Sequence, residues 1–410
     1  MRNRCSDNEL RYAVLAWTRC KELSVTAKRL ALTVFALSLF AGLASVALTA
    51  PVSDPYGYWD LFNVYSLGNI GASNYFYTSD FQGVAGAAGN AYFENFALNV
   101  AGGPHPFSIS AGGSVDLRHG VFLDGGVEAG GDVRLDYFFV RGDVRTGGAV
   151  FVGALDPSDP LDGGTILGSV YSQGGGYMNA FYVSGDIVVN SAGTMTFGLT
   201  PDGHVNGWVD GVIDLSSAWS YSPIIDHAQV SSFFRDTCDA IGAMPDQGAT
   251  KVVEYGADGR ALITIKVVPG VNVVNLDAAD WLAAWGVHVK GPQSAIVYLN
   301  VQGLVSGSFH DVVWWTSNGV LLQNVVVNFP DATAIAFDGY HGVSMLMPYA
   351  DVEFADGLLV GRLIAGNLVG GGQVNLPGNY IPEPATILLV CSGIFSSGAI
   401  ALLRRARRSA

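Results

Sequence analysis

Between residues 54 and 380, apolar and polar positions alternate mostly with a period of two, in short runs such as "GSVDLRHGVFL", "GDVRLDYFFV", "GDVRTGGAVFV" and "GDIVVNSAGTMTFGL". A period of two sends successive side chains to opposite faces of a strand. The Gly, Asn and Asp between the runs supply tight turns. One motif recurs at Gly89-Asn90-Ala91, Gly113-Ser114-Val115, Gly131-Asp132-Val133, Gly142-Asp143-Val144 and Gly185-Asp186-Ile187, its glycines 24, 18, 11 and 43 residues apart. That spacing is too irregular for an exact solenoid, but several gaps approach one rung of a β-helix with loops inserted. The expected fold is mainly β, a right-handed β-helix-like domain, with a β-sandwich as the alternative.

Two segments break the period. "IIDHAQVSSFFRDTCDAIGAM" places Ile225, Ala228, Phe233, Cys238 and Ile241 near one helical face, with Gly242 as its stop. This helix is expected to lie against the sheet and shield its core. A second, short helix is expected from Asp277 in "LDAADWLAAWG", with Trp281 and Trp285 one turn apart as core aromatics.

Composition narrows the class. Half of the 410 residues are apolar and 14% are charged, enough for a packed core. Of 21 Lys+Arg, seven precede residue 30 and four follow residue 403; the body holds ten basic against 32 acidic residues, about −22. Such a surface repels nucleic acid, which is excluded as a partner, and tolerates divalent cations. Cys238 is the one cysteine of the body, so no internal disulfide staples it. It reads as a small core residue.

The ends read as transport signals. Lys28 and Arg29 precede an uncharged run, Leu30 to Ala50, with small residues at its exit. That is a secretory signal for the Sec machinery and signal peptidase, with cleavage expected after Ala47 and an uncleaved anchor as the alternative. A start at Val25 would give a leader of ordinary length. At the other end, residues 385–403 are uncharged, about 28 Å as a helix, close to a bilayer's hydrocarbon thickness. Arg404, Arg405, Arg407 and Arg408 follow and would stay cytoplasmic. The expected organisation is leader and signal in 1–47, a β domain in 54–380, and a sorting segment in 381–410.

Pro382-Glu383-Pro384, the apolar span and the arginine cluster together resemble the PEP-CTERM sorting signal of Gram-negative bacteria. The resemblance implies recognition by an exosortase and delivery to the cell surface or exopolysaccharide matrix. The body resembles the choice-of-anchor A domain: "DLFNVYSLGNIGASNYFYTSDFQGVAGAAGNAYF" is similar to its opening. "AIVYLNVQG", "VVVNFPDATAIAF" and "VSMLMPYADVEFADGLLVGRLIAGNLVGGGQVNL" are similar to its later strands. Ala87-Ala88-Gly89 and Met347 depart from that pattern. The resemblance implies an exported β-rich surface domain, adhesin-like in some members, without established catalysis.

Catalytic signatures are missing from the sequence. The seven histidines are scattered, without H-x-H, H-E-x-x-H or zinc spacing, and there is no P-loop or G-x-S-x-G. No catalytic or metal residue is assigned. Asp132, Asp143 and Asp186 hold equivalent repeat positions; stacked, they would offer oxygens to Ca²⁺, and otherwise they cap turns. The expected function is an exported, non-enzymatic surface or matrix protein with an adhesive or exopolysaccharide-associated role. A polysaccharide-active lyase or hydrolase is the alternative, and a groove with carboxylates beside Arg or Lys would favour it.

Overall fold

The computed structural model describes residues 57–71, 75–101, 105–119, 121–153, 164–200 and 202–377, all within the unit Val52–Ala410. The expected signal helix and cleavage position Ala47, the motif Pro382-Glu383-Pro384, the span 385–403 and the tail arginines lie outside these residues. Among the described residues, 28 strands form one hydrogen-bonded sheet, and a separate sheet has four. The large sheet pairs its strands in parallel and winds into a three-faced β-helix. A β-sandwich is thereby excluded, since its two sheets are antiparallel.

Three-residue strands suffice because each rung needs only an in–out–in triplet per face. Val133 and Leu135 are buried while Arg134 between them is exposed. Inward residues stack on their like: Val115, Val133 and Val150 are register neighbours, as are Val127, Val144, Val170 and Ile187. Each such buried aliphatic side chain contributes about 1.5–3 kcal/mol, summed along a continuous core.

The corners explain the recurring motif. Asn69 Oδ1 accepts the Asn90 N–H, Asn90 Oδ1 accepts Ser114 N–H, Ser114 Oγ accepts Asp132 N–H and Asp132 Oδ1 accepts Ala149 N–H, at 2.8–3.1 Å. Each small polar side chain thus satisfies a backbone donor of the next rung at a bend where the strand ladder cannot. A Cβ on Gly113 would lie 2.3 Å from Asn90 Oδ1, which is why glycine precedes the polar residue. Asp143, Ser169 and Asp186 run the same ladder on a different corner. The eleven-residue gap between Gly131 and Gly142 is therefore a step between two corners, and the true successor of Gly131 is Gly148.

The chain enters the β-helix at its middle. Val64–Ser66 pairs with Ala85–Ala87 on one side and with Leu363–Ala365 on the other. From this seam one arm runs outward to Ile213–Ser217, the chain crosses over, and the second arm winds back to Gln373–Asn375. Polar contacts stitch the seam. Asn63 Nδ2 donates to Gly361 O (2.8 Å) and its Oδ1 accepts Gly83 N–H (3.1 Å). Arg362 meets Asp60 of the four-residue helix α1 (Tyr58–Leu61) at 2.8 Å. Inside, Phe76, Phe81, Phe93 and Phe96 pack with ring centroids 4.8–6.3 Å apart.

Helix α2 (His227–Gly242) clamps the seam from outside. Asp226 caps its start by accepting the Ala228 and Gln229 N–H groups. Its buried side is Val230, Phe234, Cys238 and Ile241, packed with Tyr65, Val326, Leu346 and Ile364. The expected helix is present, but Phe234 fills the core position expected of Phe233, and Ala228 is exposed. At its far end a ladder of Asn275 and the buried Asn300 and Asn328 donates to Met244 O, Ile241 O and Cys238 O, satisfying carbonyls a helix terminus leaves open. Helix α3 (Ala278–Leu282) starts at Asp277 as expected and buries Trp281. It ends before Trp285, which sits on a strand of the four-stranded sheet.

Candidate functional site

On the face of the first arm formed by Val121–Leu123, Phe138–Val140, Gly164–Ile166, Phe181–Val183 and Gly207–Val209, five outward positions fall in register: Phe122, Phe139, Thr165, Tyr182 and Trp208. Strand spacing makes this stripe about 19 Å long over its five rungs. Phe122 and Phe139 stack with centroids 5.4 Å apart and planes 3° from parallel. Trp208 is 67% exposed. An apolar ring held so far out is not fixed by core packing.

Polar groups two residues beyond Phe122, Phe139 and Trp208 hold the rings at both ends. Asp210 takes the Tyr182 hydroxyl on one oxygen (2.6 Å) and the Trp208 indole N–H on the other (2.7 Å). These two donors, Tyr182 first, keep its carboxyl below the usual range, and the same bond pushes the Tyr182 hydroxyl up. At the opposite end Arg141 pairs with Asp124 at 2.7 Å and places its guanidinium 5.5 Å from the Phe122 centroid. The result is a row of apolar ring faces edged by hydrogen-bonding groups, a surface suited to an extended ligand with apolar faces and hydroxyl rims.

A groove of about 600 Å³ lies on the other arm, along Ala334–Ala336 and Asp351–Glu353. Its lining includes Asp351, Glu353, Asn367, Asn69 and Ser306, and no lysine or arginine. Asn367 donates to Asp351 (2.7 Å) and its Oδ1 accepts the Asn69 N–H, so these groups continue the corner ladder across the seam.

Beneath the start of α2 is a polar chain that sequence reasoning missed. Ser110 donates to Glu128 at 2.7 Å and lies 3.0 Å from His227 Nε2, while the Tyr65 hydroxyl lies 3.2 Å from His227 Nδ1. Since the Ser110 proton goes to Glu128, Nε2 carries the histidine proton, and the Tyr65 hydroxyl, which donates to His227 O at 3.2 Å, lies beside Nδ1. Glu128 also accepts the Ile224 N–H. Burial holds His227 down to about 4 and pushes the Tyr65 hydroxyl up. Ser110, Glu128 and Tyr65 are buried to within 1% and His227 is half-buried, so this Ser–His–Glu set joins the start of α2 to the β-helix beneath it.

The remaining expectations resolve individually. Asp132 lies on one corner and Asp143 and Asp186 on another, each accepting a backbone N–H; the three do not stack in one column. Cys238 is buried and burial pushes its thiol up. Trp281 is core, edge-on to Phe309 and Phe329. Trp285 instead lies beside Trp315 on the small sheet. Among the described residues no three His, Cys, Asp or Glu gather as a metal site.

The stripe thus combines one exposed ring, Trp208, with the half-buried Phe122, Phe139 and Tyr182 on a single face of the β-helix. The chain belongs to the family described as "Putative Ice-binding-like adhesive domain", whose model matches residues 55–376. Two solved structures are similar: a possible adhesin C-terminal domain from Caldicellulosiruptor kronotskyensis (11% identity, 83% of this chain and 98% of that one, TM-score 0.22), and the tapirin C-terminal domain from Caldicellulosiruptor kristjanssonii (11%, 82% and 97%, TM-score 0.18). No curated protein matches the chain.

Proposed function

We propose that the chain is an exported, non-enzymatic adhesive protein of the cell surface or extracellular matrix that holds exopolysaccharide along the Phe122–Trp208 stripe. The observation that carries this is the register of Phe122, Phe139, Tyr182 and Trp208 on one face. Pyranose rings present apolar faces to aromatic rings and direct hydroxyls sideways, where Asp124, Arg141 and Asp210 stand. The adhesive family supports the binding role. Against a lyase, which neutralises a uronate carboxylate with Lys or Arg, the Asp351–Glu353 groove has no basic residue in its lining.

The sorting step is part of the same reading: Pro382-Glu383-Pro384 as exosortase motif, residues 385–403 as a transient anchor and Arg404, Arg405, Arg407 and Arg408 as the cytoplasmic stop. The described domain is compatible with tethering from one point, since Leu376 N–H bonds to Gln82 at the seam where the chain also enters.

Affinity electrophoresis in gels containing host exopolysaccharide tests the binding. Trp208→Ala should weaken retardation by about tenfold, an exposed aromatic contact of about 1–1.5 kcal/mol. Equal retardation of wild type and Trp208→Ala would reject the stripe. Mass spectrometry of the C-terminal peptide from surface and medium fractions tests sorting; intact chain through Ala410 confined to the inner membrane would reject it.

A further inference from the structure

The four-stranded sheet formed by Thr250–Tyr255, Ala261–Lys266, Ala284–Lys290 and Val313–Ser317 carries a second surface of opposite character. Register sets its outer face as a grid. One row is Val252, Thr264, His288 and Trp315; the next is Thr250, Lys266, Lys290 and Ser317. The Trp315 indole lies flat across the neighbouring strand, which is possible because residue 286 is glycine: a Cβ there would come within 2.7 Å of the ring. Trp285 flanks it at 5.9 Å between centroids, and His288 stacks on it at 5.1 Å while its Nε2 lies 3.0 Å from Ser317 Oγ. None of Trp285, His288 or Trp315 is buried.

The charges are the unexpected part. The body between residues 30 and 403 contains three lysines, Lys251, Lys266 and Lys290, and all lie on this sheet. Lys251 donates to Asn275 O. Lys266 and Lys290 are direct register neighbours, a like-charge placement that disfavours the sheet, and neither forms an ion pair among the described residues. In a body of about −22, two adjacent ammonium groups beside a flat indole are complementary to an anion on a ring.

We propose that this face is a binding site for anionic sugar: the pyranose stacks on Trp315 and its carboxylate or sulfate sits between Lys266 and Lys290. The site stands apart from the Phe122–Trp208 stripe and does not depend on it.

The test is affinity electrophoresis of the full mature chain in alginate, a uronate polymer, in dextran sulfate, and in neutral dextran as control. Retardation is expected in alginate or dextran sulfate and not in dextran, and which anionic gel retards tells carboxylate from sulfate. Lys266→Gln/Lys290→Gln should weaken it by about tenfold or more, the range of a lost charge-assisted contact, with an unchanged or higher melting temperature. Trp315→Ala should do the same if it folds; the lysine variant decides regardless. Trp208→Ala should leave this retardation intact. The proposal is overturned if neither anionic polymer retards the chain, if the lysine variant migrates like wild type, or if Trp208→Ala alone abolishes the effect.

Discussion

Lowering the pH from 7.5 to 5.0 should destabilise the domain through His227. Its neutral ring donates from Nε2 to Ser110, and a second proton on Nδ1 would place a charge in the buried contact with Tyr65. Burial accordingly holds the folded residue down to about 4, against 6.5 for the exposed ring, while nearby Asp226 pulls weakly the other way. The unfolded chain therefore takes up the proton first. The stabilising contribution is complete above pH 6.5 and is lost as pH falls toward 4. The full difference is about 3 kcal/mol, of which about 2 kcal/mol is lost by pH 5. Thermal melts of wild type and His227→Gln at both pH values isolate it, because the glutamine does not titrate. Wild type should lose about 4 °C more than the variant between pH 7.5 and 5.0. Parallel losses in the two proteins would show that His227 is not held neutral and that the polar chain under α2 is wrongly drawn.

Other consequences are equally direct. Asn63→Ala leaves Gly361 O and Gly83 N–H without their partner at a position 1% exposed; denaturant melts should show a loss of about 2–4 kcal/mol. Trp208→Ala should change stability by no more than about 0.5 kcal/mol, since the ring is 67% exposed, so lost binding in that variant is not misfolding. Gly286→Val should displace Trp315, visible as an altered near-ultraviolet circular dichroism spectrum, because the ring occupies the space of the new side chain. Cys238 should resist a thiol reagent in native buffer and react at once in denaturant, its thiol being buried and shifted up.

Much of the β-helix is legible in the sequence, since triplets such as Val133-Arg134-Leu135 state their inward and outward positions directly. The corners are half legible. Gly131-Asp132 and Gly142-Asp143 look alike because every corner imposes the same demand, a residue without Cβ and an acceptor for the next rung's N–H; nothing local says which corner each serves. The seam is invisible, as Val64 and Leu363 are neighbours only because the second arm winds back 299 residues later. Both ligand surfaces are hidden for a related reason. Phe122, Phe139, Thr165, Tyr182 and Trp208 are separated by 17, 26, 17 and 26 residues, so their alignment depends on loops inserted between rungs. Lys266 and Lys290 are adjacent only once α3 and its flanking strands have folded back between them. Trp285 follows Trp281 by one helical turn and so reads as core, but α3 ends after Leu282, and the pairing with Ala261–Leu262 skips residue 285, a bulge that takes the ring off the buried Val287–Val289 face to lie beside Trp315.

Heteronuclear NMR of the indole N–H groups, during titration with an oligosaccharide released from host exopolysaccharide, tests the central claim most directly. The Trp208 signal, tied to Asp210 at the end of the stripe, should shift with added glycan while that of buried Trp281 stays fixed. Saturable binding that leaves Trp208 unmoved would contradict the account.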